Sequence, residues 1–253
     1  MNVIKTVYFS LILSCFTFAC TEKPINPPSM DTTGTITLNF NLLQNDVAYS
    51  LLDVVTHSVI NKRYKITDIK FYVNYINVMD TSGTSYQVSD YNLIDFDAGD
   101  TSLDIEVPLG KYTSINFALG IDSITNYGNP NGYAVDHPLG LGSDMHWNTS
   151  LGYLFVMVEG LSDTSSTGVG TVTNIMKYDI GTEALYRNVY RPINIAIADV
   201  NTHESIDFYI DIDDFFYNAT DTIDFAIENL THSTGSGFGL AERFMNNFYR
   251  AIQ

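Results

Sequence analysis

Cysteine is nearly absent from this 253-residue chain: its two thiols, Cys15 and Cys20, both fall within the first twenty residues. Whatever folds beyond Cys20 does so without a disulfide, a thiolate zinc site or a cysteine nucleophile. Positive charge is also scarce, with 12 Lys and Arg against 29 Asp and Glu and a formal net charge of −17. Phosphate-binding surfaces need clustered basic side chains, so the charge balance argues against nucleic acid and points to cations, metals or basic proteins as partners. Past the N-terminus no apolar run is long enough to span a bilayer. The sequence contains no Gly-x-Ser-x-Gly elbow, Walker loop or His-Glu-x-x-His segment, and the chain is not read as an enzyme. Gly235-Ser236-Gly237-Phe238-Gly239 follows no phosphate-loop pattern and reads as a flexible hinge.

What the sequence does hold is apolar and aromatic side chain in quantity, 45% hydrophobic and 13% aromatic, enough to build a core and exclude a disordered chain. The first residues stand apart. Lys5 precedes an apolar stretch from Val7 to Ala19, then Thr17-Phe18-Ala19-Cys20 leads into the polar, Pro-rich Thr21–Pro28. This pattern reads as a bacterial lipoprotein signal over 1–19, with Cys20 as the lipidated residue and 20–33 as a flexible tether. An ordinary signal peptide cut near Ala19 is the other reading. Either way the protein is expected in the bacterial cell envelope. The lipid reading places it on a membrane, at the periplasmic face or the cell surface.

From residue 34 the pattern is that of strands. Ile36–Leu42 and Leu103–Val107 alternate apolar and polar with period two. Tyr64–Met79 is rich in β-branched and aromatic residues, broken at Asp68, and suits one long strand with a phase shift and a bulge. Further strands are expected over Tyr86–Phe96, Tyr112–Leu119, Leu151–Val158, Thr171–Ile180, Val189–Ala198 and Ser205–Ile212, with turn signals between them. The spacing predicts an all-β, antiparallel β-sandwich with long loops, forming one domain over 34–253. Val47–Asn61 is read as helix or loop. Leu240, Phe244, Phe248 and Ile252 form the stripe of a short C-terminal helix. Ser162–Gly170 and Thr231–Gly239 are loops, the first expected to be mobile. Asp211 and Asp213 lie on one face of an extended segment, as a calcium site or, more simply, a solvated strand end.

The segment Asn126–Asn148 is long, poor in strand character and dense in Gly, Asn and Pro, the kind of ordered loop that carries function on a rigid scaffold. It gathers His137, Met145, His146 and the only Trp, Trp147. Imidazole and thioether donors suit copper, whereas a calcium site wants oxygen. His137 reads either as a ligand or as a loop-capping residue, and Met145 and Trp147 either as site residues or as apolar anchors on the core. His146 is the leading candidate ligand, and His232 can approach the same end of the sandwich. His57 and His203 read as ordinary surface residues.

These residues resemble the MbnP family, copper-binding periplasmic proteins of methanobactin operons, and especially its lipoprotein relatives in Bacteroidetes. Tyr64-Lys65-Ile66-Thr67-Asp68-Ile69 is similar to the family's Tyr-x-Ile-Ser-Asn-Ile, and Tyr91-Asn92-Leu93-Ile94-Asp95 to its Tyr-x-Leu-Ile-Asp. Phe117-Ala118-Leu119-Gly120-Ile121-Asp122-Ser123 is similar to its Phe-x-Leu-Gly-Val-Asp-Ser. Met145-His146-Trp147, Gly152-Tyr153 and Glu159-Gly160 are similar to its Met-Tyr-Trp-x-Trp-x-x-Gly-Tyr…Glu-Gly, and Asn246-Asn247-Phe248 matches its last helix. The resemblance implies a sandwich that holds copper with imidazoles for sequestration or delivery. It also implies a partner dihaem peroxidase that oxidises a tryptophan to kynurenine, a part that only Trp147 can take. Two positions depart: Thr149 replaces the family's second Trp, and Asp179-Ile180-Gly181 replaces a His-Ile-Gly or His-Leu-Gly. A mixture of Asp179, His146 and His137 would be harder than an all-imidazole site and would favour Zn²⁺ or Cu²⁺ over Cu⁺, with His232 and Met145 as the further candidate ligands. The alternative is a non-metal surface-adhesion or scaffold lipoprotein binding protein or glycan.

Overall fold

The computed structural model describes residues 32–252, so the signal segment, Cys20 and most of the expected tether lie outside the described residues. The chain runs through β1 (Thr33–Gln44), β2 (Val47–Ala48), β3 (Val55–Thr56), β4 (Arg63–Asp80), β5 (Ser85–Asp95), β6 (Ser102–Pro108) and β7 (Gly110–Leu119). Helix α1 (Ser123–Asn126) and the ribbon of β8 (His146–Asn148) with β9 (Gly152–Tyr153) belong to the long segment that follows. Then come β10 (Val156–Ser162), β11 (Asn174–Ile180), β12 (Arg187–Ile197), β13 (His203–Asp211), β14 (Tyr217–Asn218), β15 (Asp221–Thr222), β16 (Leu230–Thr231) and helix α2 (Phe238–Ala251).

Two sheets share the main core, as the alternation predicts. The smaller is built on β1, with β13 along one edge and β6 and β2 along the other. The larger orders β12-β7-β4-β10-β11-β16, with β5 and β3 on the far edge of β4. The pairing is antiparallel except that β1 runs parallel to β13 and β11 parallel to β16. Ile36, Leu38 and Phe40 of β1 meet Phe71 of β4, Val158 of β10 and Phe208 of β13 in one buried cluster. α2 closes that core, with Phe248 edge-on to Phe71 at 5.3 Å and Phe244 stacked on Tyr178 at 4.3 Å.

β4 carries two phase shifts, and both are visible in its burial. Tyr64 and Ile66 are buried, then Ile69, Phe71 and Val73, then Ile76 and Val78. The first shift coincides with a register slip, where Glu159 pairs with Asp68 but Gly160 pairs with Ile66, leaving Thr67 extra. The second falls at Tyr75, which sits at φ 51° where the pairing to β7 slips between Asn74 and Asn77; the pairing to β5 slips just beyond, between Ile76 and Asn77. A bulge inserts one residue and swaps the faces beyond it, so each shift restores the apolar side to the core.

One edge of β4 changes partner part-way. β10 pairs with it over Tyr64–Phe71, and β7 takes over from Val73. The segment between β7 and β10 leaves and returns at this fork, where the Tyr72 amide donates to the Phe155 carbonyl at 3.1 Å. Gly120 makes the departure possible: its φ is +121°, and a Cβ there would lie 2.6 Å from the Phe155 ring. The segment folds back onto the outer face of the large sheet. Ile121, Leu139, Met145, Tyr153, Leu154 and Phe155 form a second buried cluster with Tyr72 and Met157, residues that point away from the main core on β4 and β10.

Several expectations need correction. Val47–Asn61 forms the short strands β2 and β3 with turns, not a helix. His57 is fully buried rather than at the surface: Val59 and Ile60 amides donate to its Nδ1 and its Nε2 reaches the Asp213 carbonyl at 3.0 Å. Burial lowers its pKa and keeps it neutral. Asp213 is neither a calcium ligand nor a solvated end. Its carboxylate is buried and accepts from Tyr64 Oη at 2.6 Å and the Ser58 amide at 2.9 Å. The strand expected over Leu151–Val158 is interrupted between β9 and β10. The loop after Ser162 is pinned at Asp163, which is buried and accepts from the amides of Ser165 and Gly170.

Candidate functional site

The outer face of β11 presents Lys177 and Asp179, because Tyr178 and Ile180 between and beyond them face the main core. Register extends that face across the sheet. Asp179 lies opposite Met157, Met157 opposite Lys70 and Lys70 opposite Asp95. In the adjacent row Lys177 lies opposite Glu159, and Glu159 opposite Asp68. Four carboxylates, Asp68, Asp95, Glu159 and Asp179, thus surround two ammonium groups. Lys70 pairs with Asp95 at 3.1 Å and Asp68 at 4.0 Å, and Lys177 bridges Glu159 and Asp179.

His232 reaches this face from the end of β16. Thr231 pairs with Tyr178, so the next residue arrives beside Asp179. Ser233 fixes the approach: it sits at φ 54°, donates from Oγ to the Asp179 carbonyl at 2.7 Å and accepts the Gly181 amide at 2.9 Å. His232 Nδ1 is then 3.1 Å from Asp179 Oδ2. Trp147, carried by β8, sets its ring 5.2 Å from the imidazole and leaves about a third of its surface open.

Asp179 is the buried member, only 4% exposed. Burial raises its pKa, against the opposing pull of Lys177 and His232. Its Oδ1 is buried with no hydrogen-bond partner among the described residues. Burial works to lower the Lys177 pKa, but Glu159 and Asp179 outweigh it and hold the ammonium above its ordinary range.

The expected site residues therefore divide. Asp179, His232 and Trp147 come together. His146 turns the other way: its ring meets Tyr153 edge-on at 4.8 Å, its Nε2 is buried without a partner among the described residues, and burial lowers its pKa. His137 takes the capping role, accepting the Leu139 amide on Nδ1 at 3.0 Å and stacking on Tyr133 at 4.7 Å. Met145 is fully buried as an apolar anchor of the second cluster. Among the described residues no three His, Cys, Asp or Glu side chains are grouped closely enough to enclose a metal ion. The pair that does form offers one carboxylate and one imidazole, with a second carboxylate oxygen unengaged, a borderline-to-hard donor set that fits Cu²⁺ or Zn²⁺ better than Cu⁺.

Sequence reasoning passed over Lys177 and Glu159. The signal was present, since Lys177 and Asp179 alternate with the core residues of their strand and share the outward face. It also missed the junction of Tyr75, Tyr91 and Asp122 at the loop entrance. There both phenols donate to the Asp122 carboxylate, and with Thr125 they overcome the effect of burial and bring its pKa down to about 2. A shallow pocket of about 310 Å³ opens beside it, lined by Ile121, Asp122, Ser123, Glu183 and Tyr186.

The MbnP family profile matches residues 33–234. The chain belongs to the MbnP family. Among solved structures it is similar to MbnP from Methylosinus trichosporium, at 16% identity and a TM-score of 0.50, over 83% of this chain and 93% of that one. At that identity the likeness speaks for the fold. No curated protein matches the chain. The matched span covers strands of both sheets and runs to Thr234, two residues beyond His232, so every residue of the Asp179–His232–Trp147 group lies inside it.

Proposed function

We propose that this MbnP-family protein binds copper in the bacterial cell envelope, for sequestration or delivery, and holds a divalent ion at the rim of the large sheet. Asp179 and His232 supply the first donors, and Trp147 shields one side. The observation that carries this reading is the 3.1 Å approach of His232 Nδ1 to a buried carboxylate whose other oxygen is unengaged. For an ion to enter, the imidazole nitrogen facing Asp179 must be free of its proton. Water completes the coordination shell of such an open site. Surrounding carboxylates raise the local concentration of cations without selecting copper. Anchoring through a lipid on Cys20 belongs to the same proposal and is read from the mass of the N-terminal peptide and its loss in Cys20→Ala. A dihaem peroxidase partner would convert Trp147 to kynurenine, which an intact-mass measurement of protein from its native host detects.

The test is a calorimetric titration of the purified protein with Cu²⁺ and Zn²⁺, supported by copper electron paramagnetic resonance. His232→Ala and Asp179→Asn are expected to lose the bound equivalent, while His137→Ala and His146→Ala keep it. A wild type that retains no ion better than His232→Ala overturns the metal reading. The protein would then be a scaffold lipoprotein using the same face, or the pocket at Asp122 and Glu183, to hold protein or glycan.

A further inference from the structure

The chain between β1 and β4, residues 45–62, forms a strap that carries β2 and β3 and buries Tyr49 in the main core. It is fastened at one buried point. His57 accepts the Val59 and Ile60 amides on Nδ1 at 3.1 and 3.2 Å, and its Nε2 lies 3.0 Å from the Asp213 carbonyl. A carbonyl only accepts, so Nε2 carries the proton and Nδ1 is bare. The Asp213 carboxylate grips the same turn: its Oδ2 accepts the Ser58 amide at 2.9 Å and the side-chain amides of Gln44 and Asn45 at 3.2 and 3.3 Å. Backbone strain works against this closed form. Of the eight non-glycine residues at positive φ among the described residues, four lie in the strap: Asn45, Asp46, Leu52 and Asn61. Asn and Asp tolerate that region, but Leu52, at φ 75°, stays there only because its surroundings hold it.

We infer that His57 is an acid-sensitive latch: a proton on Nδ1 cannot coexist with the two amides that point at it, so protonation frees the strap from the start of β4. The surroundings do little to accommodate the new charge. The rings of Tyr64, Phe216 and Phe225 stand 5.9 to 6.3 Å from the imidazole. The Tyr64 hydroxyl is spent on Asp213 at 2.6 Å, the Tyr49 hydroxyl on the Asp53 carbonyl at 3.0 Å, and Lys62 is paired with Asp224 at 2.8 Å. Burial lowers the His57 pKa and outweighs Asp213 and Asp211, the two acids that pull it up. Release bares the edge of β4 at Arg63 and Tyr64, which β3 covers, and an uncovered strand edge is a template for pairing with another chain.

The sign follows from linkage. An imidazole whose folded pKa is depressed leaves the strap closed above about pH 6.5. Below that the open form binds the proton first, and opening grows by up to about tenfold per pH unit until the folded pKa is reached. Asp213, whose pKa is also lowered in the closed form, adds to the release only below about pH 4. Asp211 is raised by burial and works the other way, which damps the slope. Between these limits the loss belongs to His57.

The experiment is backbone hydrogen exchange on the full chain between pH 7 and 4.5, corrected for the intrinsic rate at each pH. Protection of the Val59 and Ile60 amides should fall by up to about a hundredfold, while β1 and β7 keep theirs. In His57→Asn the side-chain oxygen still accepts amides two and three residues on but takes up no proton, so protection should hold over the same range. A wild type whose strap stays protected, or loses protection together with the sheets, overturns the latch. So does a His57→Asn variant with an unchanged pH profile. Should that variant not fold, the wild-type imidazole is followed by nuclear magnetic resonance. Protonation in step with the loss of Val59 and Ile60 protection supports the latch, and protonation with the strap still closed overturns it.

Discussion

Asp68 lets the energetics of the charged face be tested apart from any metal. It lies on the outward side of β4 opposite Glu159, where burial raises its pKa from 3.8 to about 6, with Lys70 pulling it back and Asp95, Asp97 and Glu159 adding to the rise. Its Oδ1 is buried with no hydrogen-bond partner among the described residues. A carboxyl whose folded pKa is raised binds its proton more tightly in the native state. Its favourable contribution is therefore complete below about pH 4 and is lost as the pH climbs through 4 to 6. Full burial would make that displacement worth roughly 3 kcal/mol at neutral pH. With 22% of the side chain in solvent, screening brings it to about 1–2 kcal/mol. Asp68→Asn keeps the shape and removes the charge, so at pH 7 it should be more stable by that amount, about 3–6 °C in melting temperature for a domain of this size. At pH 4 the two proteins should coincide. Asp179, Asp211 and Asp214 are raised as well and contribute to the slope of both proteins, so the decisive quantity is the difference between the two melting curves across pH. An Asp68→Asn variant that is less stable than wild type at pH 7, or a gap that does not close on acidification, would refute the account.

Two further substitutions probe how the site is held. Gly120→Ala places a methyl 2.6 Å from the Phe155 ring at a φ of +121°, and should cost more than about 1 kcal/mol while loosening the second cluster, read as a lowered melting temperature and reduced near-ultraviolet circular dichroism. Ser233→Ala removes the hydroxyl that accepts the Gly181 amide and donates to the Asp179 carbonyl, at about 1–3 kcal/mol for the amide left unpaired. Metal affinity should fall several-fold with an unchanged copper electron paramagnetic resonance spectrum, because the donor atoms remain; a changed spectrum would mean that the serine is itself a ligand.

The fold was legible because its signal is periodic. Alternation located β1, β6 and the long strand β4, and the break at Asp68 marked the first of its two bulges. The second, at Tyr75, was hidden because an aromatic side chain there looks like one more core residue, and only the return of Ile76 and Val78 to the core shows that the phase has changed. The parallel pairing of β1 with β13 was also invisible, since a strand's pattern records which of its faces is buried and not the direction of its neighbour. His57 was misread for a related reason. A lone imidazole in a polar segment looks exposed, yet three backbone contacts satisfy both of its nitrogens inside the protein.

The site was legible only in part, and its division follows from how each residue is placed. Asp179 and Trp147 sit on strands, where neighbours in sequence dictate the face, so departure from the family pattern and local alternation both pointed to them. His146 precedes Trp147 and must face away from it along the same short strand, which is why adjacency to the only tryptophan made it a candidate and geometry sent it to Tyr153. His232 depends on a contact made fifty-three residues along the chain and on the positive φ of Ser233, neither of which leaves a mark in sequence. The same placement explains how the face is charged. Asp179, only 4% exposed, meets both His232 and Lys177 at one carboxylate oxygen, so an imidazole arriving from the end of β16 and an ammonium from the same strand converge on a single buried acid.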